Sequence, residues 1–473
     1  RTMLHDTKAG ELLGHNVDKW DEEVFRRAYQ NAKYLIEDGN DPLRIVCERA
    51  QEKGMSFYAT LIVQRGGPAH ASDRCSDFRK NNPDLEIGAA GDLDPDFPGF
   101  DAMDFKHKKA RDERFSIVEE VLLEYPVDGF ELSLGESGVL NTPTLTPYFF
   151  HPKEIDSGRK IMTDWIGRIH ETVKKSGFDR ELVVRVPLSI EECLAVGFDP
   201  EEWVRQGIVD VLVGQGVFGQ MNNFSPLVDI TRGTSTRVHA VTSDGVGSDR
   251  LGIAPISALR ATACNYWDQG IDGLYLAGWH PEWPFDARFY EKLRELPHPD
   301  IMAPKDKFYF VTTSESELTP LPVNVHLDSP ARVNFTITDD IARLGKGGRV
   351  HEVLIRIRVV EHTELDILNF KLNGNELPLE THRMINEIYK QRVPHYRVMG
   401  GYWHIFRLGS DNWPVVGNNT IEVSLIERDP DMVKLYCVLR DIELEIKYLM
   451  GKNFHRGDGI GIGDVDPDLG PHD

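Results

Sequence analysis

The sequence is poor in the features that mark the special classes of protein. Its five cysteines (Cys47, Cys75, Cys193, Cys264 and Cys437) are scattered and odd in number. With no C-x-x-C pair among them, they indicate neither a disulfide framework nor a zinc site. Cys47, Cys193 and Cys264 sit in helical patterns among apolar residues and read as small buried hydrophobes. No apolar run approaches the roughly 20 residues needed to span a bilayer as a helix, so no transmembrane segment is expected. Positive charge is in deficit: 54 Lys and Arg stand against 76 Asp and Glu, a net charge of −22. Such a field disfavours nucleic acid or an anionic membrane as partner. Walker and G-x-S-x-G motifs are absent. Gly214-Gln-Gly-Val-Phe-Gly219 has the G-x-G-x-x-G spacing, but no good helix opens at its end, so a dinucleotide is not expected.

What remains is the composition of a folded chain, 473 residues long, 40% hydrophobic and 27% charged. That length suits two or three domains. The first three hundred residues alternate helix and strand. Asp41 caps a helix that opens on Pro42 and runs to Lys53, and Gly54 stops it. An apolar strand follows over Met55–Val63. A helix over Lys108–Tyr125 puts Ile117, Val118, Val121, Leu122 and Tyr125 on one face. Further strands are expected at Val127–Leu134, Glu181–Val186, Val209–Val213, Arg237–Val241 and Gly273–Leu276, with a short one near Ala102–Phe105. Helices are expected between them, at Gly158–Ser176, Pro200–Gln206 and Pro255–Gln269, with a last one near Phe285–Leu293. Strands that lack polar alternation are covered on both faces, as in parallel α/β sheets. Seven βα units over about 290 residues suit an α/β TIM (β/α)8 barrel. One strand is missing from this count, and it is expected either upstream of Arg1 or from a segment without a recognisable strand pattern. A doubly wound open sheet is the alternative.

Past Pro304 helical periodicity nearly vanishes. Val323–Leu327, Arg332–Ile337, Glu352–Val360, Ile367–Leu372, Trp403–Leu408, Thr420–Leu425 and Ile442–Tyr448 read as strands, several of them alternating. The expected organisation is therefore a barrel domain over 1–298, an all-β jelly-roll or β-sandwich over 306–450, and an acidic, flexible Gly/Asp tail over 451–473.

In a βα barrel the chemistry lies at the carboxyl ends of the strands and in the loops after them. The polar residues expected there are Arg65, His70, Glu131, Glu136, Arg185, Gln215, His239, Asp244, Trp279, His280, Glu282 and Trp283. Glu131 is the most informative. It lies inside an apolar strand, where a carboxylate is costly unless it is paired or near a solvated site. Two readings follow: general acid/base catalysis, or an ion pair with Arg185 on the neighbouring strand that holds the fold. Glycosidic hydrolysis commonly takes two carboxyl groups. Glu136, Asp244 and Glu282 are candidate partners, and Glu282 has the aromatic company of Trp279 and Trp283. Asp92-Leu-Asp-Pro-Asp96 and Asp464-Val-Asp-Pro-Asp468 resemble the start of a calcium loop. Each lacks Gly at the sixth position and a matching distal Glu, so Ca2+ is only a minor expectation and no other cofactor is expected.

Several motifs run through the first region: Asp6-Thr-Lys-Ala-Gly-Glu11, Gly39-Asn-Asp-Pro-Leu43, Ala50-x-x-x-Gly54-Met55, Tyr125-Pro-Val-Asp-Gly-Phe-Glu131-Leu, Val184-Arg185-Val-Pro187 and Trp203-Val-x-x-Gly207-Ile-Val-Asp210. Through them residues 6–290 resemble bacterial glycoside-hydrolase-like TIM-barrel proteins, similar to the family-10-like glycosyl hydrolase group. In that group the strand-four motif usually reads Gly-x-Glu-Leu-Asp. Here Glu131 matches and Ser133 stands where the acid would be. Leu372-Asn-Gly374 and Val416-Gly-Asn-Asn-Thr-Ile-Glu-Val423 resemble galactose-binding-like jelly rolls, in which Trp403 and Trp413 would be the sugar-binding candidates.

The resemblance implies O-glycosidic hydrolysis of a poly- or oligosaccharide by a secreted, cell-surface or periplasmic protein. Glu131 would be the general acid/base, Glu282 or Asp244 the second carboxylate, and Arg185 and His239 the groups that orient substrate. The competing expectation is a non-catalytic carbohydrate-binding or extracellular assembly protein on a degenerate glycosidase barrel. Carbohydrate is the partner in the first reading, and a homo-oligomer is left open.

Overall fold

The structure is a computed structural model. It describes residues 2–64, 75–135, 148–242, 245–247, 251, 254–276, 287–314, 319–327, 329–386 and 401–449. The chain divides into two compact units, residues 1–216 with 224–240, and residues 217–223 with 241–473.

Two short strands near the start, β1 (Thr2–Met3) and β2 (Glu11–Leu12), pair in parallel with each other. A six-stranded sheet then follows strict chain order: β3 (Tyr58–Ile62), β4 (Gly129–Ser133), β5 (Glu181–Pro187), β6 (Val211–Gln215), β7 (Arg237–Thr242) and β8 (Gly273–Leu276). Between them run α1 (Glu23–Glu37), α2 (Pro42–Glu52), α3 (Asp77–Lys80), α4 (Lys108–Glu124), α5 (Ile155–Ser176), α6 (Ile190–Ala195), α7 (Pro200–Gln206), α8 (Ser225–Thr231) and α9 (Ile256–Asp268). Local chemistry explains the boundaries. The Asp41 carboxylate accepts from the Leu43 amide at 2.9 Å and Pro42 sits at the first helical position of α2. Gly207 closes α7 at φ +66°, a left-handed conformation that favours glycine. The apolar face of α4 buries Ile117, Val118, Val121 and Leu122, and α5 buries Trp165, Ile166, Ile169 and Val173.

The expected eight-stranded barrel is not what forms. Among the described residues the parallel sheet has six strands and is open. One of the segments counted toward the barrel goes elsewhere. The segment near Ala102–Phe105 makes only an isolated antiparallel bridge, Met103 to Glu86. Its backbone is consumed by loops: the Ile87 amide donates to Ala102 O, the Asp104 amide to Leu85 O and the Phe105 amide to Phe149 O, each at 2.8 Å. A segment whose donors and acceptors are so occupied has nothing left to offer a neighbouring strand. Near the N-terminus, β1 pairs with β2 and, among the described residues, with no strand of this sheet. The doubly wound alternative needs a reversal in strand order, and the order seen has none.

Because side chains alternate along a strand, register decides which residues share a face. Thr60, Glu131, Val183, Val211 and Arg237 are aligned across β3 to β7, and two positions on so are Ile62, Ser133, Arg185, Val213 and His239. All of these lie on one face. The other face carries Ala59, Leu61, Phe130, Leu132, Leu182, Val184, Leu212 and Val238, all buried and all apolar. The polar face is concave. Glu181 on β5 accepts from the Tyr58 hydroxyl on β3 (2.6 Å) and is ion-paired with Arg237 on β7 (2.5 Å), so side chains from alternate strands meet across the ones between.

In the second unit the antiparallel strands are β9 (Lys307–Val311), β10 (Val323–His326), β11 (Ala331–Ile337), β12 (Val350–Val360), β13 (Ile367–Leu372), β14 (Asn375–Glu376), β15 (Arg383–Asn386), β16 (Gly401–Arg407), β17 (Gly417–Glu427) and β18 (Tyr436–Tyr448). They form a sheet in the order β10-β18-β12-β16-β15, with β9 also on β18, and a second sheet in the order β11-β17-β13-β14. Both contribute to one apolar core, Val353, Ile355, Ile357 and Val359 of β12 with Val333, Phe370, Ile421 and Val423. On the opposite side of β12, Arg356 and Arg358 are also buried, ion-paired with Glu445 (2.9 Å) and Asp441 (3.2 Å) of β18.

Candidate functional site

Three consecutive strands, β4, β5 and β6, bring Glu131, Arg185 and Gln215 together on the polar face toward its carboxyl end. Glu131 is 4% exposed. Its Oε1 lies 3.1 Å from Arg185 Nε, and its Oε2 accepts from the Thr60 hydroxyl at 2.9 Å. Arg185 Nη1 then donates to Gln215 Oε1 at 3.2 Å. Taking a carboxylate and a guanidinium out of water costs several kcal/mol per ion, on the order of what their attraction returns when hydrogen bonds complete the shell. Thr60 and Gln215 supply such bonds. His239, half-buried, stands on the same face one strand further along.

Gln215 itself is 1% exposed, and its Nε2 has no hydrogen-bond partner among the described residues. The Arg185 bond fixes which end of the amide is oxygen, because a guanidinium only donates. Gln64, just past β3, is occupied structurally: its Nε2 donates to Met103 O (2.7 Å) and Tyr148 O (3.1 Å).

Glu131, Arg185, Gln215 and His239 were expected on sequence grounds, and the sheet places all four on one face. Arg65, His70, Glu136, Asp244, Trp279, His280, Glu282 and Trp283 lie outside the described residues. Sequence reasoning missed Thr60 and the amino-end layer of Tyr58, Glu181 and Arg237. The period-2 pattern of β3 was the signal available for both. A cavity of about 700 Å³ opens at that end, lined in part by Tyr58, Asp128, Arg180, Glu181 and Arg237. Two of its acids are already engaged: Asp128 accepts from the Phe57 amide at 2.7 Å, and Glu181 is held as above.

The Asp6-Thr-Lys-Ala-Gly-Glu11 motif has a structural job in this fold. Glu120 on α4 accepts from the Thr7 hydroxyl (2.6 Å) and from the amides of Lys8 (2.5 Å) and Ala9 (3.0 Å). Glu11 accepts from the amides of Asp77 and Phe78, where α3 begins. Trp403 is 5% exposed, and Trp413 donates from Nε1 to Leu408 O at 3.1 Å, so both tryptophans pack within the second unit.

Two clusters of metal-ligating types occur among the described residues. In one, His362 Nδ1 is 3.0 Å from Asp366 Oδ2, with Cys437 beside them. The Arg428 guanidinium reaches both Asp366 (2.5 Å) and the Cys437 sulfur (3.3 Å), so a cation already holds the centre. In the other, His15 bridges Glu11 (3.3 Å) and Asp77 (3.1 Å). Of the two aspartate runs noted above, only the first is described. Asp92 there faces His151 (3.2 Å) and Lys153 (2.8 Å).

No protein-family model matches the chain, and no curated protein does. Solved structures do match. They include a cycloisomaltooligosaccharide glucanotransferase of Paenibacillus sp. (11% identity, TM-score 0.30, 84% of this chain and 46% of that one). Another is the GH36 α-galactosidase AgaA of Geobacillus stearothermophilus (12%, 0.33, 86% and 46%). A third is an α-galactosidase from Lactobacillus brevis (11%, 0.32, 87% and 47%). The chain spans about half the length of these sugar-acting enzymes.

Proposed function

We propose that this chain is a glycoside-hydrolase-like protein, secreted or at the cell surface, that hydrolyses O-glycosidic bonds of a poly- or oligosaccharide. Glu131 serves as general acid/base, and Arg185, Gln215 and His239 position the sugar. One observation supports the reading above the others: Glu131, Arg185 and Gln215 gather on one concave face, from mid-strand in β4 to the carboxyl end of β6, while the opposite face carries Phe130, Leu132, Leu182, Val184 and Leu212, all buried and apolar. That end of a parallel sheet is where α/β folds place ligand chemistry. In the reaction the anomeric C–O bond breaks, the leaving oxygen gains a proton, and water delivers hydroxide to the anomeric carbon. Two carboxyl groups share that work. Asp244 or Glu282 is proposed for the second role.

The test is reducing-end release from a panel of polysaccharides by the wild type beside Glu131→Gln. Release by the wild type and a loss of about 10²- to 10⁴-fold in the variant supports the role. Equal rates in both forms would remove Glu131 from the chemistry.

A second reading is favoured by the ion pair: a carbohydrate-binding protein without turnover. Both oxygens of Glu131 are engaged, Oε1 in the ion pair with Arg185 and Oε2 as acceptor from the Thr60 hydroxyl, as a structural carboxylate's would be. Sugar retention without product in both forms would select this reading.

A further inference from the structure

We infer that the ligand read at the carboxyl end of β6 is an uncharged sugar, one of whose oxygens accepts a hydrogen bond from Gln215 Nε2. This rests on the sugar-acting reading of the same site and narrows its substrate class. The first support is the orphaned donor. Gln215 is 1% exposed, its Oε1 is taken by Arg185, and its Nε2 has no partner among the described residues. Buried donors are almost always satisfied, and one left open asks for an acceptor from outside. Hydroxyl and ring oxygens of a pyranose meet that need.

Charge decides between a neutral and an acidic sugar. Arg185 donates to the same side-chain amide, and Glu131 already pairs with it at 3.1 Å. The trio of Glu131, Arg185 and Gln215 therefore carries no net charge. A uronate would bring a second carboxylate beside Glu131 with no cation in the trio left to pair it, an expensive arrangement in a buried site. At long range the field of a chain with net charge −22 also opposes a polyanionic glycan.

The experiment measures binding by calorimetry with two sets of probes. The neutral set is cello-, xylo-, malto- and galacto-oligosaccharides; the acidic set is oligogalacturonates and alginate oligosaccharides. Reducing-end release from the parent polymers is followed alongside, on wild type, Gln215→Glu and Glu131→Gln, each checked by circular dichroism and thermal melting. The wild type is expected to bind a neutral probe and no acidic one. Gln215→Glu, which keeps the shape but loses the donor, should weaken that binding by about tenfold to a hundredfold. Glu131→Gln unmasks Arg185 and should gain measurable affinity for an acidic probe. A Gln215→Glu variant that fails to fold leaves the wild-type and Glu131→Gln results to decide. Turnover of an acidic polymer by the wild type would overturn the inference and leave the hydrolase standing. Binding of a neutral probe without turnover would uphold the inference and remove the hydrolase. No binding of either set would remove both.

Discussion

Glu131 and Arg185, on adjacent strands two register positions apart, meet at 3.1 Å in the interior of the first unit. The contact is diagonal. Arg185 is level with Ser133, and its long side chain turns back toward the amino end of the neighbouring strand to reach the acid. Catalytic and scaffold readings of Glu131 both pass through this pair, and so does the first prediction.

Removing one partner leaves a buried charge uncompensated. Arg185→Met is expected to lower stability by about 3–5 kcal/mol. The double variant Glu131→Gln/Arg185→Met should recover much of the loss, because no charge is then stranded. Urea denaturation of the four species in a double-mutant cycle measures the coupling. Additive effects would show that the pair is not coupled.

Gly129 is a second sensitive point. A Cβ there would sit 2.4 Å from Tyr58 Cε1 and 2.5 Å from the backbone oxygen of Glu181. The tyrosine ring could swing aside, at the cost of its bond to Glu181, but the carbonyl belongs to the neighbouring strand and cannot. Gly129→Ala is expected to cost about 1–3 kcal/mol. A Gly129→Ala/Tyr58→Phe double variant should recover little of it. Full recovery would mean that the tyrosine alone sets the limit.

The second unit is expected to lose stability in mild acid. Burial lowers the pKa of His362, His382 and His404, that of His404 well below the usual imidazole value, and the rings of His382 and His404 stack 5.3 Å apart. A group whose folded pKa is depressed binds more protons when unfolded. The stability associated with keeping these rings neutral is therefore complete above the unfolded value of about 6.5 and falls as pH drops below it. Asp441 acts in the opposite sense lower down: burial raises its pKa to about 6, against Arg358, so it titrates between that value and the usual carboxylate range. The difference in melting temperature between wild type and His404→Phe, followed from pH 8 to pH 5, isolates the histidine contribution. A pH-independent difference would remove the histidines from the account.

All five cysteines are buried and unpaired, and burial pushes the Cys437 thiol up to about 12 and those of Cys47 and Cys264 up to about 11. Thiolate is the reactive form. Titration with a chromogenic disulfide should find almost no reactive thiol in the native protein and five in denaturant. Rapid labelling of the native state would contradict the burial.

Much of this was legible in the residues. The Asp41-Pro42 start of α2, the apolar stripe of α4 and the alternation of Val353, Ile355, Ile357 and Val359 are local signals, and each element lies where its pattern puts it. Less legible were α1 and β15. The first is a mostly solvent-facing helix with a single fully buried residue, Ala32, although Phe25, Tyr29, Ala32 and Ile36 recur at helical spacing; the second is a four-residue edge strand.

Taken alone, the amino-acid order determined most of the strands and helices, and that an acid and a guanidinium would stand on neighbouring strands. These follow from dihedral preferences and side-chain period, which act over a few residues. The tertiary structure decided how many strands join the parallel sheet, that Ala102–Phe105 spends its backbone on loops, and that Thr60 and Gln215 complete the shell around Glu131 and Arg185. Those outcomes depend on register between segments distant along the chain, and register is set by which backbone donors and acceptors are still unspent when the sheets assemble.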